Sequence, residues 1–184
     1  MNTLEKETLV GVLNVSDKLL LTDPCYELGT WCTSEAVLPY GSYNCYCSYK
    51  DGRVADIYIV NTDVKDLNEV YKHELISDNL GVDSGQLGIF NTIRYNKQVS
   101  KEEFEKSLEG EFPYEDWKRL YKEDDTDHDS FYRCCCNYTL SKQNCGVIKG
   151  VGFVSSSGYG DGVYEAYYLV NNKGEKVGLQ VEFI

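Results

Sequence analysis

The C-terminal segment "KVGLQVEFI", 176–184, alternates so strictly that it leaves few choices of structure. Val177, Leu179, Val181 and Phe183 occupy every second position. Because successive side chains of a β-strand point to opposite faces, this spacing places all four on one face. Such a strand needs neighbouring strands and a core that covers its apolar face. The segment therefore predicts a half-buried sheet.

Turn signals separate several other short hydrophobic runs, which favours strands joined by tight turns. The tetrapeptide "KDGR", 50–53, is typical of a two-residue hairpin turn, because Asp and Gly tolerate the positive φ that it requires. It lies between the predicted strands Tyr43–Tyr49 and Val54–Val60. The tetrapeptide "NNKG", 171–174, predicts a turn before the C-terminal strand. The other predicted strands are Thr8–Asn14, Lys18–Thr22, Trp31–Leu38, Phe131–Leu140, Val147–Ser156 and Val163–Val170.

The middle of the chain changes to helical spacing. Ser100 is a predicted helix N-cap, with Glu103 at the capping-box position three residues later. Trp117, Leu120 and Tyr121 are spaced as on one face of a helix. The pattern predicts a helical region in this part of the chain.

Together these patterns predict one domain spanning residues 1–184. Its expected class is α+β, built mainly from antiparallel β-sheet as a sandwich or roll. A helical insert is expected at about 62–122, and it includes a short helix within 62–75 that Thr62 or Asp63 would cap.

The net charge of −12 excludes some classes of partner. DNA and RNA are not expected, because a surface that follows phosphates needs a basic stripe. A small anionic ligand fits better, since backbone N–H groups and one or two cations hold phosphate even on an acidic protein. The N-terminus "MNTLEKETLVGVLNV" lacks the apolar core of a signal peptide, and no apolar run approaches the ~20 residues of a membrane span. We expect a cytoplasmic protein without a membrane partner, and homo-oligomer formation stays open.

The eight cysteines and two histidines do not suggest a metal site. Zinc sites favour two closely spaced ligand pairs, and the sequence has no C-x-x-C pair. "CYC", 45–47, places two thiols on one face of a strand, as expected for small core residues. The acidic run "EDDTDHD", 123–129, is predicted to be a solvated loop, because the central glycine of a calcium loop is missing. No metal and no cofactor are expected.

The segment "GFVSSSGYGDGVYEAYY", 152–168, has two interpretations. Asp161-Gly162 is a favoured hairpin turn. However, a two-residue turn does not require the preceding serines and glycines, which would also suit a polar ligand that approaches the backbone. The sequence leaves both interpretations open.

Two further loops contain polar and aromatic residues. In "GVDSGQLGIF", 81–90, Asp83 is suited to an Asx turn or, with Ser84 and Gln86, to the rim of a pocket. "LTDPCYELGTWC", 21–32, contributes Asp23, Tyr26 and Trp31. A Ser/His/Asp catalytic set is not expected, because neither histidine lies near a glycine-framed nucleophile. Cys25 has no candidate base nearby in the sequence.

Three segments carry a family resemblance. "DPCYELGTWC", "GVDSGQLGIF" and "SSSGYGDGVYEAYYLVNNKGEKVGLQVEFI" resemble the signature blocks of a family of uncharacterised phage and bacterial proteins, known as a domain of unknown function. The resemblance covers about half of the chain and supplies no catalytic residues. It implies a phage context, in which small acidic proteins with one polar pocket include sponges that sequester nucleotide signals of host immunity.

The leading hypothesis is therefore a protein that sequesters a cyclic ADP-ribose isomer or a cyclic dinucleotide without cleaving it. Trp31 or Tyr159 would stack on adenine, the serines would meet phosphates, and Asp83 or Asp161 would bind ribose hydroxyls. The expected ligand-binding residues are Asp23, Tyr26, Trp31, Asp83, Ser84, Gln86, Ser155, Ser156, Ser157, Gly158, Tyr159, Gly160, Asp161 and Tyr164.

Two alternatives belong to other classes. An enzyme that cleaves such a signal would use Asp23, Asp83 or Asp161 as an acid, a base or a metal ligand. An acidic protein-interaction module would use its charged face to occupy a basic site on a host protein.

Overall fold

The structure is a computed structural model that describes residues 7–109 and 127–184, with only the backbone described at 127–129. It consists of eleven strands, two α-helices and two 3₁₀ turns in these ranges. The strands are β1 (Thr8–Val15), β2 (Leu19–Thr22), β3 (Ser34–Ala36), β4 (Gly41–Lys50), β5 (Arg53–Asn61), β6 (Tyr71–Val82), β7 (Gln86–Asn91), β8 (Cys145–Ile148), β9 (Gly152–Ser156), β10 (Gly162–Val170) and β11 (Lys176–Glu182). The helices are α1 (Lys101–Ser107) and α2 (Asp127–Thr139), and the 3₁₀ turns are Leu67–Glu69 and Thr92–Arg94.

The strands form two antiparallel sheets. Sheet A has the order β1-β4-β5-β11-β10-β6, and sheet B has the order β3-β2-β7-β9-β8. All of the described pairings are antiparallel. The predicted α+β class with a mainly antiparallel, sandwich-like sheet is confirmed.

The main core fills the space between the two sheets. Sheet A contributes the predicted alternating residues of β11, among them Leu179 and Val181, which are fully buried. Cys45 and Cys47 point into the same core, as expected for one face of β4. Leu21 and Phe153 cover this core from sheet B. The thiols of β4 therefore act as small core side chains.

A second core lies on the other face of sheet B, where the helices pack. Phe131, Cys134 and Cys135 of α2 are completely buried there, beside Phe104 of α1 and Phe90 of β7. Because sheet B is covered on both faces, β2 and β7 are buried at every residue. The molecule thus has three layers: sheet A, sheet B and the helices.

The predicted strand Phe131–Leu140 is wrong, because these residues belong to α2 and its C-terminal turn. The aromatic residues and cysteines favour a strand by residue type. However, Phe131, Cys134, Cys135 and Tyr138 are spaced by three, four and seven residues, which is the period of a helix face. The acidic run is also not all loop, since α2 begins at Asp127, whereas residues 123–126 lie outside the described ranges.

The hairpin turn predicted at 50–53 is confirmed. Lys50 pairs with Arg53, while Asp51 and Gly52 have φ angles of 52° and 75°. In contrast, the single strand predicted for Val147–Ser156 is divided into β8 and β9 by a turn in which Gly150 has a φ of 69°.

The region 62–122, expected to be a helical insert, also carries strands of both sheets. The short helix expected within 62–75 is only the 3₁₀ turn Leu67–Glu69, with Asp66 as its cap, before β6 begins. β6 is an edge strand of sheet A, and β7 lies in the middle of sheet B. The predicted helical face at Trp117, Leu120 and Tyr121 lies outside the described residues.

The predicted cap of α1 is confirmed, since the Ser100 side chain accepts a hydrogen bond from the Glu103 N–H at 3.2 Å. Neither α1 nor α2 has the length and apolar character needed to cross a membrane, and this finding covers the described parts of the chain only.

Candidate ligand-binding cavity

The segments 23–32, 81–90 and 155–184 meet at one junction between the sheets. The turn between β6 and β7 contains Asp83 and Ser84, and both of their backbone N–H groups donate to Asp23, at 2.9 and 2.7 Å. On the other side of this turn, the Gly85 carbonyl accepts a hydrogen bond from the Ser157 N–H at 3.0 Å. Residues far apart in the sequence are therefore neighbours here.

The buried Asp23 carboxylate holds the junction together. Its Oδ1 accepts from the Cys25 N–H at 2.9 Å and from the Ser84 hydroxyl at 2.6 Å, in addition to the two bonds to Oδ2. A carboxylate excluded from water is stable only when hydrogen bonds of this kind replace its hydration. Asp23 therefore has a structural role that its sequence motif did not reveal.

The serine- and glycine-rich segment is not a hairpin. β9 pairs with β7 and β8 in sheet B, whereas β10 pairs with β11 and β6 in sheet A. Residues 157–161 therefore carry the chain from one sheet to the other. The Gly160 N–H donates to the Ser157 carbonyl at 2.8 Å, and the Ser157 hydroxyl donates to the Gly160 carbonyl at 2.8 Å.

Two of the predicted ligand-binding residues, Gly158 and Tyr164, make contacts within the protein at this connection between the sheets. The Tyr164 hydroxyl donates to the carbonyl groups of Ser157 and Gly160, at 2.9 and 2.6 Å. Gly158 has a φ of 57°, and a Cβ there would lie 3.0 Å from side-chain atoms of both Phe183 and Ile184. The positive φ and the close packing of Phe183 and Ile184 thus both favour glycine at position 158.

Other predicted residues at the junction are bonded to the protein itself. The Gln86 amide donates to Cys136 Sγ at 3.4 Å and accepts from the Thr139 hydroxyl at 3.0 Å. The buried Ser155 hydroxyl donates to the Ser156 carbonyl at 3.0 Å. These polar groups connect strands, loops and α2.

The remaining predicted residues lie at the surface or hold the loop after β2. Asp83 and Asp161 are exposed, as are Trp31 and Tyr159, whose exposed fractions are 80% and 69%. The Tyr26 carbonyl accepts from the Tyr95 hydroxyl at 2.6 Å. None of the predicted ligand-binding residues lines the cavity described next.

Cys25, next to Asp23, is not prepared for nucleophilic attack. Burial, followed by the hydrogen-bonded Asp23 carboxylate, raises the pKa of its thiol to about 12. At neutral pH the thiol is therefore protonated, whereas the thiolate is the nucleophilic form.

A cavity of about 810 Å³ opens where β1, at one edge of sheet A, runs beside β8, at one edge of sheet B. The ends of α1 and α2 form its other side. We call it the lysine cavity, because three lysines line it. Its lining residues are Val10, Gly11, Val12, Asn14, Lys106, Ser107, Glu109, Tyr138, Ser141, Lys142, Gln143, Cys145, Gly146, Val147 and Lys149.

Among the described residues that line the lysine cavity, basic side chains outnumber acidic ones. Lys106, Lys142 and Lys149 line it together with one acid, Glu109, in a chain whose net charge is −12. The lysines come from three places in the fold: the end of α1, the loop after α2 and the turn after β8. Their convergence could not be recognised from the sequence, where Lys142 lies 36 positions after Lys106.

One wall of the lysine cavity depends on Tyr138 and Gly146. A Cβ at Gly146 would lie only 1.9 Å from the Cδ1 atom of the Tyr138 ring, so the ring packs against the backbone of β8. The Tyr138 hydroxyl donates to the Glu103 carboxylate at 3.3 Å. The aromatic wall is thus fixed at both ends by contacts within the protein.

The loop that carries Lys142 is held in place on both sides. The Ser141 hydroxyl donates to the Tyr138 carbonyl at 2.7 Å, and the Asn144 amide donates to the Ser141 carbonyl at 3.1 Å. The Tyr49 hydroxyl of β4 donates to the Gln143 carbonyl at 2.7 Å. These bonds fix the backbone of the cavity rim before a ligand arrives, which lowers the entropic cost of binding.

A second concave region differs in its charge. The loop groove, of about 1130 Å³, lies at one end of the sandwich. Its three lysines accompany three acids. These six residues are Lys65, Lys173, Lys176, Asp63, Glu69 and Glu175. The described lining of the loop groove therefore has no charge excess, and the lysine cavity is the better candidate for an anionic ligand.

Within residues 7–109 and 127–184, no group of three His, Cys, Asp or Glu side chains is arranged to hold a metal ion. Comparisons with protein-family models, with curated proteins and with solved structures found no match.

Proposed function

We propose that the protein binds a small phosphate-bearing molecule in the lysine cavity and holds it without cleaving it. The observation that carries this proposal is that lysines outnumber acids among the described residues that line a cavity of an otherwise acidic protein. Lysine ammonium groups bind phosphate as point charges, and their effect is stronger in a concave site than on an open surface.

The size and chemistry of the cavity support a nucleotide-sized ligand. Its volume of about 810 Å³ falls within the ~300–1000 Å³ typical of small-molecule sites. Tyr138 offers an aromatic ring, and Ser141, Asn14 and the lysines offer polar contacts. Adenine-containing ligands combine a planar base with phosphates, and this lining suits both parts.

The finer proposal concerns the identity of the ligand. The resemblance of three segments to uncharacterised phage and bacterial proteins suggests a nucleotide-derived signal of host immunity, such as a cyclic ADP-ribose isomer or a cyclic dinucleotide. The protein would then act as a cytoplasmic sponge in the infected cell. The site differs from the sequence-based expectation, because the lysine cavity replaces the serine- and glycine-rich segment as the phosphate site.

A thermal-shift screen with cyclic ADP-ribose, cyclic di-AMP, ADP and inorganic pyrophosphate tests the proposal first. A ligand at 100 times its dissociation constant stabilises the folded protein by ~2.7 kcal/mol, which raises the melting temperature measurably. We expect at least one of these phosphates to raise it. Adenosine, which has the base but no phosphate, is the matched control and should give a smaller shift.

The cavity variant Lys106→Gln/Lys142→Gln/Lys149→Gln locates the site. It should lose the shift while keeping the unliganded fold, because all three lysines are exposed. A shift that survives in this variant would place the phosphate site elsewhere.

The control variant Lys65→Gln/Lys173→Gln/Lys176→Gln removes the same charge from the loop groove. It should keep the shift. Sequestration is separated from cleavage by heating the complex and analysing the released ligand by chromatography: an intact ligand supports a sponge, and a cleaved ligand supports an enzyme.

A further inference from the structure

A smaller cavity lies on the outer face of sheet A, away from the core between the sheets. Its volume is about 190 Å³. We call it the outer-face cavity, and it shares no lining residue with the lysine cavity. Its lining residues are Glu7, Tyr58, Val60, Leu67, Val70, Lys72, Leu169 and Gln180.

Apolar side chains form most of its wall. Val60 of β5 and Leu169 of β10 lie on the sheet, and Leu67 and Val70 pack over them from the segment between β5 and β6. The cavity is therefore an apolar space between the sheet and this segment. Its size suits one six-membered ring, since an engineered apolar cavity of ~150 Å³ in another protein holds benzene.

One polar group in this apolar space has no partner. Tyr58 is only 6% exposed, and its hydroxyl has no hydrogen-bond partner among the described residues. Its ring stacks on Tyr46 with a centroid distance of 5.0 Å, so the ring position is fixed. A buried hydroxyl without a partner destabilises the folded protein, and a ligand that bonds to it would remove that cost.

The other polar groups restrict the chemistry of that ligand. The Lys72 ammonium is already bonded to Glu182 at 2.9 Å, and the Gln180 amide nitrogen to Asp56 at 2.7 Å. The Glu7 carboxylate lies near the Tyr58 hydroxyl without meeting hydrogen-bond geometry. The ligand must then accept a hydrogen bond from the Tyr58 hydroxyl. It must also fit beside the Glu7 carboxylate, which can accept hydrogen bonds but cannot donate them.

We propose that the outer-face cavity is a second binding site, for a neutral alcohol with a compact apolar body. A hydroxyl accepts from Tyr58 and donates to Glu7 at the same time. A protonated amine has no lone pair for the Tyr58 hydroxyl, and a carboxylate is repelled by Glu7. The apolar body replaces water against Val60, Val70 and Leu169.

Benzyl alcohol, benzylamine and benzoate test this site, because they share one ring and differ in the polar group. Each compound is titrated into the full chain, and the shifts of the amide signals in ¹H–¹⁵N NMR spectra give its dissociation constant. We expect saturable binding of benzyl alcohol at about 10 mM or tighter, with shifts confined to β5, β10 and residues 67–70. Benzylamine and benzoate should bind at least about tenfold more weakly.

The variant Tyr58→Phe keeps the ring and removes the hydroxyl. It should weaken benzyl alcohol binding about three- to tenfold, the usual contribution of one hydrogen bond. Tyr46→Phe, which alters the stacked neighbour outside the cavity lining, should leave the affinity unchanged. If Tyr58→Phe does not fold, Glu7→Gln provides a second test of the site. This variant should reduce the ratio of the dissociation constants of benzoate and benzyl alcohol, because it removes the charge that repels benzoate.

Three outcomes would overturn the proposal: no saturable binding of benzyl alcohol, equal affinity in wild type and Tyr58→Phe, or equal affinity for all three compounds. The first would mean that water or Glu7 alone satisfies the Tyr58 hydroxyl. Because the two cavities share no lining residue, the cavity variant of the three lysines should still bind benzyl alcohol, which keeps this test separate from that of the proposed function.

Discussion

Asp23 and Ser84 are joined by two hydrogen bonds, one from the Ser84 N–H to Oδ2 at 2.7 Å and one from the Ser84 hydroxyl to Oδ1 at 2.6 Å. This pair fixes the loop after β2 to the turn between β6 and β7. Since β2 belongs to sheet B and β6 to sheet A, the Asp23 carboxylate helps to set where the chain passes between the sheets.

Replacement of Asp23 by alanine should destabilise the protein strongly. The change leaves three backbone N–H groups and one hydroxyl without their acceptor. We expect a loss of roughly 3 kcal/mol or more in the free energy of unfolding, measured by urea denaturation. Asp161→Ala is the control, since this exposed carboxylate should change stability by only about 0.5 kcal/mol. Equal costs for both variants would contradict a structural role of Asp23.

Alanine variants of Gly158 and Gly150 distinguish the cost of backbone strain from the cost of packing. Both have φ angles in the left-handed region, 57° and 69°, but only at Gly158 would a Cβ meet other atoms at 3.0 Å. Gly150→Ala should cost about 1 kcal/mol, from the conformation alone. Gly158→Ala should cost about 1–3 kcal/mol more, from contact with Phe183 and Ile184. Similar melting temperatures for the two variants would show that the crossing between the sheets tolerates a side chain.

The effects of substitutions at Gly146 and Tyr138 on stability should depend on each other. Gly146→Ala forces the Tyr138 ring away from β8 and should cost about 1–3 kcal/mol of stability. In the background of Tyr138→Ala the same change should cost less, by a coupling energy of about 0.5–3 kcal/mol in a double-mutant cycle. Additive effects would mean that the ring does not pack on Gly146. The cycle therefore tests the geometry of the cavity wall independently of ligand binding.

The stability should fall in alkaline solution, partly because of Cys134. Burial is the main cause that raises the pKa of this thiol from 9.0 to about 12. Below pH 9 the thiol is protonated in both states, and its contribution is fully present. Between pH 9 and 12 the unfolded chain loses the proton and the folded chain keeps it, so stability falls by ~1.4 kcal/mol per pH unit from this group.

Cys134→Ala should therefore reduce the slope of unfolding free energy against pH within that window, whatever it does to the absolute stability. The measurement is urea denaturation in reductant at several pH values. The slopes of wild type and variant should agree between about pH 6 and 8, where the thiol is protonated in both states. Parallel curves above pH 9 would contradict the predicted contribution of Cys134.

Local signals explain which parts of the fold were predictable. The turn 50–53 requires positive φ at two adjacent residues, and Asp51-Gly52 supplies it without help from the rest of the chain. The alternation of β11 likewise reflects one buried face. These features depend on neighbours in sequence, so the sequence predicts them.

The residue types of α2 favour a strand, whereas their spacing is that of a helix. Phe131, Cys134, Cys135 and Tyr138 carry the helical period in the sequence itself. Their environment, the outer face of sheet B, is formed by strands from distant parts of the chain. The helical period is therefore a signal of α2 that the sequence itself contains.

The candidate site is harder to predict than the turns and strands, because it is formed by segments that are distant in the sequence. A ligand-binding role of the serines and glycines at 155–160 stays a prediction, and Gly85, Tyr164 and Phe183 account for several of their contacts within the protein. The three lysines of the cavity form no sequence motif and meet only when α1, α2 and β8 pack together.

The central claim, that the lysine cavity binds a phosphate-bearing ligand, is tested most directly by calorimetric titration with cyclic ADP-ribose, cyclic di-AMP and ADP. Wild type, the cavity variant and the control variant are titrated in parallel. We predict that at least one ligand binds wild type and the control variant with equal affinity, and binds the cavity variant at least tenfold more weakly, a loss of ~1.4 kcal/mol or more. Absence of binding to wild type, or equal affinity in all three proteins, would contradict the account.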